Sequence, residues 1–331
     1  MQSGAWLGTM GVMNLRGLLF FFVATAFSGA AAESAVRWWE PYVGREANGA
    51  HVLGLWKFDR EDLLRDESSR QHAATPRGAV WNAAGRFGGC LESSAGYPVE
   101  DKSHGIHIKR SPALSPGGAF SVELWARPKA GDAFPAETAP TLLDMKYVAD
   151  NHTGFALSLT RAGGDGSRAL SVEMGLGTRT ERWNSDRLSL SAKEWTHLAF
   201  TYDAAGTLRF FVNGENAGGD FKPGAGAMAA ATRQLAIGDR MGSLYRGFPG
   251  YLDEVRITTG VRQFRPVDLK PAAKRFVFRR MSASAELDFE LINRTGAEVS
   301  GAKVVIDSPG KETQVLPIPK LAKGGRHRIR A

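Results

Sequence analysis

Three segments of the chain combine an aromatic ring with planar hydrogen-bonding side chains. A sugar presents C–H faces that stack on rings and hydroxyl groups that need donors and acceptors. The segments are residues 144–151 with Tyr147, residues 180–186 with Trp183, and residues 239–249 with Arg240 and Tyr245. These four side chains are candidates for carbohydrate binding. The alternative is that each ring is an anchor packed beneath its own loop.

A run of alternating carboxylates is the second group with chemical potential. Glu286, Asp288 and Glu290 alternate with Leu287 and Phe289, and in a strand alternate side chains share one face, about 6.6 Å apart. Glycoside hydrolysis uses two carboxylates that flank the bond to be cleaved. The alternative is an acidic, solvent-facing strand whose apolar residues are buried on the other face.

Asp253 raises a separate chemical question. It has the same parity as Val255 and Ile257 in one apolar run, so strand alternation predicts that its carboxylate points into the interior. An unpaired buried charge is costly, and the carboxylate therefore needs a partner. The partner is either a cation or a set of backbone amides.

Charge and cysteine content exclude several classes of protein. The 331 residues contain one cysteine, Cys90, so a disulfide framework and a cysteine-based zinc site are excluded. The net charge of +8 arises from residues 260–331, while residues 33–259 hold 26 basic and 27 acidic side chains. The basic residues near the C-terminus are scattered, whereas nucleic-acid binding needs clustered cations. We therefore expect no nucleic-acid partner.

The first 32 residues have the pattern of an export signal. Arg16 is their only charge, residues 17–27 form an apolar run, and residues 30–32 are three alanines that offer a cleavage site. The alternative is an uncleaved membrane anchor, for which the run is short. We predict a cleavable signal peptide over residues 1–32 and a mature chain that is secreted, periplasmic or at the cell surface, with no transmembrane segment.

These side chains must be positioned by strands. From about residue 50 to residue 258 apolar residues recur with period two between Gly-rich turns, and no stretch has a helical period. Two pairs of runs predict hairpins, residues 155–159 with 170–174 and residues 198–202 with 208–212. Many short antiparallel strands without helices predict an all-β sandwich of two sheets.

Four sequence motifs occur in a fixed order along this region. They are LWKFD at 55–59, GRFG at 85–88, the paired runs EWTHLAFTYD at 194–203 and GTLRFFVNG at 206–214, and GYLDEVRI at 250–257. In this order they resemble the laminin G-like, concanavalin A-like jelly rolls. The resemblance implies a lectin-like sandwich whose first and last strands lie side by side.

The resemblance bears on both sets of carboxylates. It implies that Asp253 lies near Asp59, where a structural calcium ion held by the two is one way to neutralise them. Backbone amides remain the other way, and no other cofactor is expected. Glycosidases of this fold carry a Glu-x-Asp-x-Glu strand inside the concave sheet, whereas Glu286–Glu290 follows the closing strand. We therefore predict no catalytic residue and no enzyme activity.

The C-terminal part has a different pattern. Residues 275–331 resemble the front part of a bacterial immunoglobulin-like adhesion domain, but such a domain has about seven strands in ~100 residues. We predict a signal peptide at 1–32, an N-terminal extension at 33–50, the jelly roll at 51–262, a linker at 263–274, and a partial immunoglobulin-like β segment at 275–331.

These features favour a non-catalytic extracytoplasmic module that binds a polysaccharide or a glycoprotein. The jelly-roll pattern extends along most of the chain, and its sheets lack the catalytic strand. One alternative is a structural adhesion or spacer protein, suggested by the second β segment. A less favoured alternative is a glycoside hydrolase that depends on Glu290.

Overall fold

The computed structural model describes residues 12–13, 36–99, 105–131, 134–272, 287–295, 298–300, 303–306 and 314–330. Within these ranges the chain is almost entirely antiparallel β-structure. The helices described are a four-residue α-helix, α1 (Arg45–Asn48), and a 3-10 turn at Pro112–Leu114. None of the described helices is long and apolar enough to cross a membrane. The all-β prediction is confirmed.

The chain divides into two compact units. The larger unit contains residues 40–212 and 216–262, and the smaller contains residues 1–39, 213–215 and 263–331. The predicted N-terminal extension is therefore divided between them, with residues 36–39 in the smaller unit and residues 40–50 in the larger.

One sheet of the larger unit has seven strands. Its spatial order is β11-β10-β9-β8-β15-β6-β3, with strands numbered in chain order. The strands are β3 (Ala74–Arg77), β6 (Gly105–Ile108), β8 (Thr141–Asp144), β9 (Phe155–Leu159), β10 (Arg168–Gly175), β11 (Thr180–Leu188) and β15 (Leu235–Ile237). The first predicted hairpin is formed by β9 and β10.

The other sheet has eight strands. Its order is β14-β13-β12-β7-β16-β5-β4, and β2 also pairs with β16. The strands are β2 (Val52–Trp56), β4 (Val80–Asn82), β5 (Cys90–Glu92), β7 (Phe120–Pro128), β12 (Thr196–Tyr202), β13 (Thr207–Val212), β14 (Glu215–Phe221) and β16 (Gly250–Thr259). The pairing of β2 with β16 confirms that the first and last strands of the jelly roll are neighbours.

The core lies between these two sheets because each strand turns its apolar residues inward. Val122, Leu124 and Ala126 of β7 are fully buried in this core. Phe120 and Phe155, from opposite sheets, have ring centroids 5.9 Å apart. Burying a side chain of this size stabilises the fold by roughly 1.5–3 kcal/mol, so the period-two pattern is sufficient to define the sandwich.

The smaller unit contains two three-stranded sheets. One is β17 (Val267–Pro271), β18 (Asp288–Asn293) and β21 (Arg326–Arg330), and the other is β1 (Val12–Met13), β19 (Lys303–Ile306) and β20 (Gln314–Pro317). The predicted linker differs from the structure, because β17 lies within residues 263–274. The buried Val267 joins Phe289 and Leu291 in the core of this unit. The likeness to an immunoglobulin-like domain stays a prediction.

Two of the three alternating carboxylates, Asp288 and Glu290, lie on β18. Phe289 and Leu291 are buried, as the acidic-strand alternative predicted. Asp288 pairs with Arg330 of β21 at 2.7 Å, and Glu290 lies 3.5 Å from Arg326. Glu286 lies outside the described residues. The two described carboxylates are thus matched by arginines on the neighbouring strand.

Candidate functional site

The structure brings Tyr147 and Arg240 together. Arg240 Nε and Nη2 donate to the Tyr147 carbonyl at 3.3 and 3.1 Å, and its guanidinium carbon lies 5.1 Å from the centre of the Tyr147 ring. The guanidinium carbon of Arg233 lies 5.0 Å from the same centre. We call Tyr147, Arg233 and Arg240 the Tyr147 site.

Asp144, at the end of β8, fixes both loops of this site. Its Oδ1 accepts hydrogen bonds from the amides of Lys146 and Tyr147 at 2.7 and 2.8 Å, and its Oδ2 accepts one from the Met241 amide at 3.0 Å. Burial raises the pKa of Asp144, and these amides partly offset that rise. Because the carboxylate is engaged on both oxygens, we assign it a structural role.

Lys146 holds the loop that carries Tyr147. Its Nζ donates to the carbonyls of Val148 and Ala149 at 3.0 Å each and to the carbonyl of Asn151. The side chain is buried, which lowers the pKa of the ammonium group. Tyr147 itself adopts φ 75°, a conformation that is unfavourable for a residue with a side chain. The three carbonyl contacts of Lys146 stabilise this turn.

Tyr245 lies on the same loop as Arg240 and pairs with Tyr97. Their ring centroids are 4.9 Å apart at an angle of 63°. Both side chains are largely open to solvent, Tyr97 at 45% and Tyr245 at 52% exposure. The Tyr97 amide donates to the Leu244 carbonyl at 2.6 Å and fixes the two segments side by side. The pair provides an exposed aromatic surface.

Trp183 does not belong to this group, and its prediction as a binding residue was wrong. It is 1% exposed and its ring lies 5.7 Å from the ring of Tyr202 in the core. The predicted loop at residues 180–186 is part of strand β11, in which Trp183 pairs with Val172 on the inward face. The packed-anchor alternative describes this residue.

Asp253 is fully buried, as expected, and backbone amides surround its carboxylate. Oδ2 accepts hydrogen bonds from the amides of Arg86 and Phe87 at 2.7 and 3.1 Å, and Oδ1 accepts one from the Glu254 amide at 2.7 Å. Burial raises the pKa of Asp253 to about 7, against the opposing effect of these amides. The donors come mainly from the turn before β5.

The face on which Asp253 lies was predicted incorrectly. Asp253 is paired with Trp125, which alternates with the core residues Leu124 and Ala126 and so lies on the other face of the sheet. The register shifts between Asp253 and Arg256, and Glu254 adopts φ 47°. This β-bulge inserts two residues, Asp253 and Glu254, between the core residues Leu252 and Val255 in the sequence, so simple alternation fails here.

Lys57 supplies a cation beside the predicted calcium ligands. Its Nζ lies 3.7 Å from Asp59 Oδ2 and 3.7 Å from Glu254 Oε1. Among the described residues no group of three or more His, Cys, Asp or Glu side chains is arranged to hold a metal ion. The two oxygens of Asp253 are already engaged by amides. A calcium ion between Asp59 and Asp253 stays a prediction.

The outer face of the eight-stranded sheet carries contacts that the sequence analysis did not identify. The guanidinium carbon of Arg127 lies 4.9 Å from the ring centre of Trp195 and 4.6 Å from that of Tyr251. The three residues belong to different strand regions, so their proximity depends on strand register. The one signal available was the outward parity of Arg127.

A buried ionic cluster lies on the same face. Glu123 accepts hydrogen bonds from Arg256 at 2.9 Å and from the Tyr42 hydroxyl, and it contacts His197 at 3.1 Å. Burial alone would raise the pKa of Glu123, but the His197 hydrogen bond and the Arg256 charge lower it to about 2. His197 therefore participates in a structural network with Glu123.

Comparison with known proteins supports the fold. Residues 101–263 match a laminin G-type family model described as the Concanavalin A-like lectin/glucanases superfamily. A comparison with curated proteins finds no match. Among solved structures, the binding domain of Paraclostridial Mosquitocidal Protein 1 is similar with a TM-score of 0.50 and 11% identity, over 80% of this chain and 73% of that chain.

Two further structures are similar at lower TM-scores. Domain 4 of AbnA, a GH43 extracellular arabinanase from Geobacillus stearothermophilus, in complex with arabinotriose, has a TM-score of 0.44 and 20% identity over 64% of this chain and 94% of that chain. The binding domain of botulinum neurotoxin serotype G has a TM-score of 0.47 and 10% identity over 84% and 81%. These similarities concern the fold alone. Residues 101–263 are thus similar to the concanavalin A-like lectin/glucanase superfamily, as the strand motifs indicated.

Proposed function

We propose that this chain is a non-catalytic extracytoplasmic module whose jelly roll binds carbohydrate, either as a polysaccharide or on a glycoprotein. The observation that carries the proposal is that one loop presents both an exposed aromatic ring and an anchored hydrogen-bond donor. Residues 239–249 carry both Tyr245, paired with Tyr97, and Arg240, held on Tyr147. Sugar recognition requires these two kinds of group side by side.

The rings at the site have different roles in this proposal. The Tyr147 ring contacts two guanidinium groups, and a Cβ at Gly242 would lie 3.6 Å from it. Its surface is therefore used within the protein, and its role is to position Arg233 and Arg240. Tyr97 and Tyr245 are about half exposed and take the stacking role.

The absence of catalysis is also part of the proposal. Glycoside hydrolysis needs one protonated and one ionised carboxyl group on either side of the bond. Asp144, the carboxylate at the Tyr147 site, has both oxygens bound by backbone amides. Glu290 lies in the smaller unit beside Arg326. A structural spacer protein is the main alternative, because the smaller unit has its own strands and core.

A glycan array with the full mature chain, with and without chelator, tests this function. Tyr245→Ala should weaken binding roughly tenfold, which corresponds to about 1.4 kcal/mol. Phe221→Ala is the matched control, because Phe221 is equally exposed at 52% but lies on β14 of the other sheet. No binding on the array would favour the spacer role. Turnover of a polysaccharide that is lost in Glu290→Gln would instead indicate a hydrolase.

A further inference from the structure

Four arginines, two of them in the Tyr147 site, form no salt bridge with a described acidic side chain. In the part of the chain that the structure describes, no carboxylate oxygen lies within ion-pair distance of Arg161, Arg233, Arg240 or Arg246. Arginines elsewhere are commonly paired, for example Arg256 with Glu123 at 2.9 Å and Arg330 with Asp288 at 2.7 Å. We call these four residues the arginine cluster.

Three members of the cluster, Arg161, Arg240 and Arg246, are close enough for their charges to interact. Partial burial lowers the pKa of Arg246, and the charges of Arg240 and Arg161 lower it further. Glu173 opposes this effect, but its carboxylate pairs with Arg182 across the β10–β11 ladder. The buried carboxylate of Asp144 also acts electrostatically on Arg240, but both of its oxygens are bound by backbone amides. A bound anion would add direct hydrogen bonds to these guanidinium groups.

Contacts that involve no acidic side chain hold two of the guanidinium groups in place. The Arg240 guanidinium group donates from Nε and Nη2 to the Tyr147 carbonyl. The Asp239 carboxylate accepts from the backbone amide of Arg240 and not from its guanidinium group. Arg233 lies over the Tyr147 ring and has no hydrogen bond to another described residue. Both side chains thus keep N–H donors for a ligand. Arg233 is exposed, and Arg240 is partly exposed.

We propose that the arginine cluster binds the carboxylate or sulfate groups of an acidic polysaccharide, with Tyr97 and Tyr245 against its sugar rings. The proposal rests on the proposed carbohydrate-binding function and adds the chemical class of the ligand. Guanidinium groups recognise such anions by charge-assisted, frequently bidentate hydrogen bonds. A nucleic acid is less suitable, because residues 33–259 hold 26 basic and 27 acidic side chains and lack the extended positive surface that a phosphate backbone requires.

Two matched pairs of polymers test the ligand class. Polygalacturonate is compared with its methyl ester, and dextran sulfate with dextran, by calorimetry on the full mature chain. We expect at least tenfold tighter binding of the charged member of one pair, and the pair that responds distinguishes carboxylate from sulfate. A single-stranded oligonucleotide that binds more tightly than either polymer would overturn the polysaccharide assignment.

The variant Arg233→Gln/Arg240→Gln tests the location. It should weaken binding of the preferred acidic polymer at least tenfold, because both charge-assisted hydrogen-bond donors are lost. The control Lys193→Gln/Arg209→Gln removes the same charge from exposed positions before β12 and on β13. Melting curves of both variants confirm folding. Equal losses in the two variants would show attraction by net charge and overturn the proposal.

The same measurements separate this inference from the proposed function. If neutral and acidic polymers bind equally and Tyr245→Ala weakens the binding of both, the carbohydrate-binding function stands. The acidic ligand class is then wrong. If no polymer binds and the glycan array is also empty, the proposed function itself fails.

Discussion

Asp253 and Glu254 are neighbouring carboxylates with very different surroundings. Asp253 accepts hydrogen bonds from three backbone amides. Neither carboxylate oxygen of the buried Glu254 has a hydrogen-bond partner among the described residues. Among the described residues, Glu254 forms one ion pair, with Lys57 at 3.7 Å. Burial raises the pKa of Glu254 to about 8, with Asp253 adding to the rise.

Glu254 should make folding stability depend on pH. A carboxyl group whose pKa is higher in the folded state favours folding while it is protonated, so stability falls as pH rises from about 4.5 to about 8. We expect Glu254→Gln to flatten this fall and to be more stable than the natural protein at pH 8 by roughly 1 to 3 kcal/mol. Denaturant unfolding between pH 5 and pH 9 measures the free energy of unfolding and its dependence on pH. The exposed Glu137→Gln is the control, and equal slopes in all three proteins would contradict the prediction.

Asp253 tests whether amides or a metal ion neutralise the buried charge. With amides alone, chelator leaves the melting temperature unchanged, and Asp253→Ala costs roughly 1 to 3 kcal/mol because three amides lose their acceptor. With a calcium ion shared with Asp59, chelator lowers the melting temperature by mass action, and Asp253→Asn removes that dependence. An Asp253→Ala variant as stable as the natural protein would be inconsistent with both.

Lys146 stabilises the loop at residues 145–151 together with Asp144. Lys146 Nζ contacts three carbonyls of this loop, so the ammonium group occupies the position that a bound cation often takes among carbonyl oxygens. Lys146→Met should leave these carbonyls without a donor, speed amide exchange in the loop and weaken ligand binding about tenfold. Hydrogen exchange and calorimetry measure these effects.

The control for the loop is Lys193→Met, at an exposed position outside this loop. It should change neither the exchange rates nor the affinity. Unchanged exchange in Lys146→Met would show that Asp144 alone fixes the loop through its bonds to the amides of Lys146 and Tyr147.

Export is the prediction that belongs to the whole molecule. Apart from Val12–Met13, which pair with Val304 and Lys303, residues 1–35 lie outside the described residues. We propose cleavage near Glu33, which would remove this short strand from the mature chain. Mass spectrometry of the exported protein should find the new N-terminus there. An intact Met1 or Met13 end would contradict the cleavable signal.

The amino-acid sequence by itself determined the fold class and most strand positions. Each jelly-roll strand buries one face, so apolar residues must recur with period two, and hairpins such as β9–β10 and β12–β13 are recognisable from local pattern. Local signals of this kind need no knowledge of the neighbouring strand. The burial of Asp253 was predicted as well, but from an alternation that does not hold at the bulge.

Tertiary structure alone decided which side chains meet. The bulge at Asp253 and Glu254 depends on the register of β16 against β7, so the face of Asp253 could not be read from alternation. Trp183 lies in the core and not in a loop, because β11 includes the residues predicted to form that loop. Arg233 lies over the Tyr147 ring only because strands that are distant in sequence pair with each other. Contacts between residues far apart in sequence are fixed by register and packing, which a linear pattern does not contain.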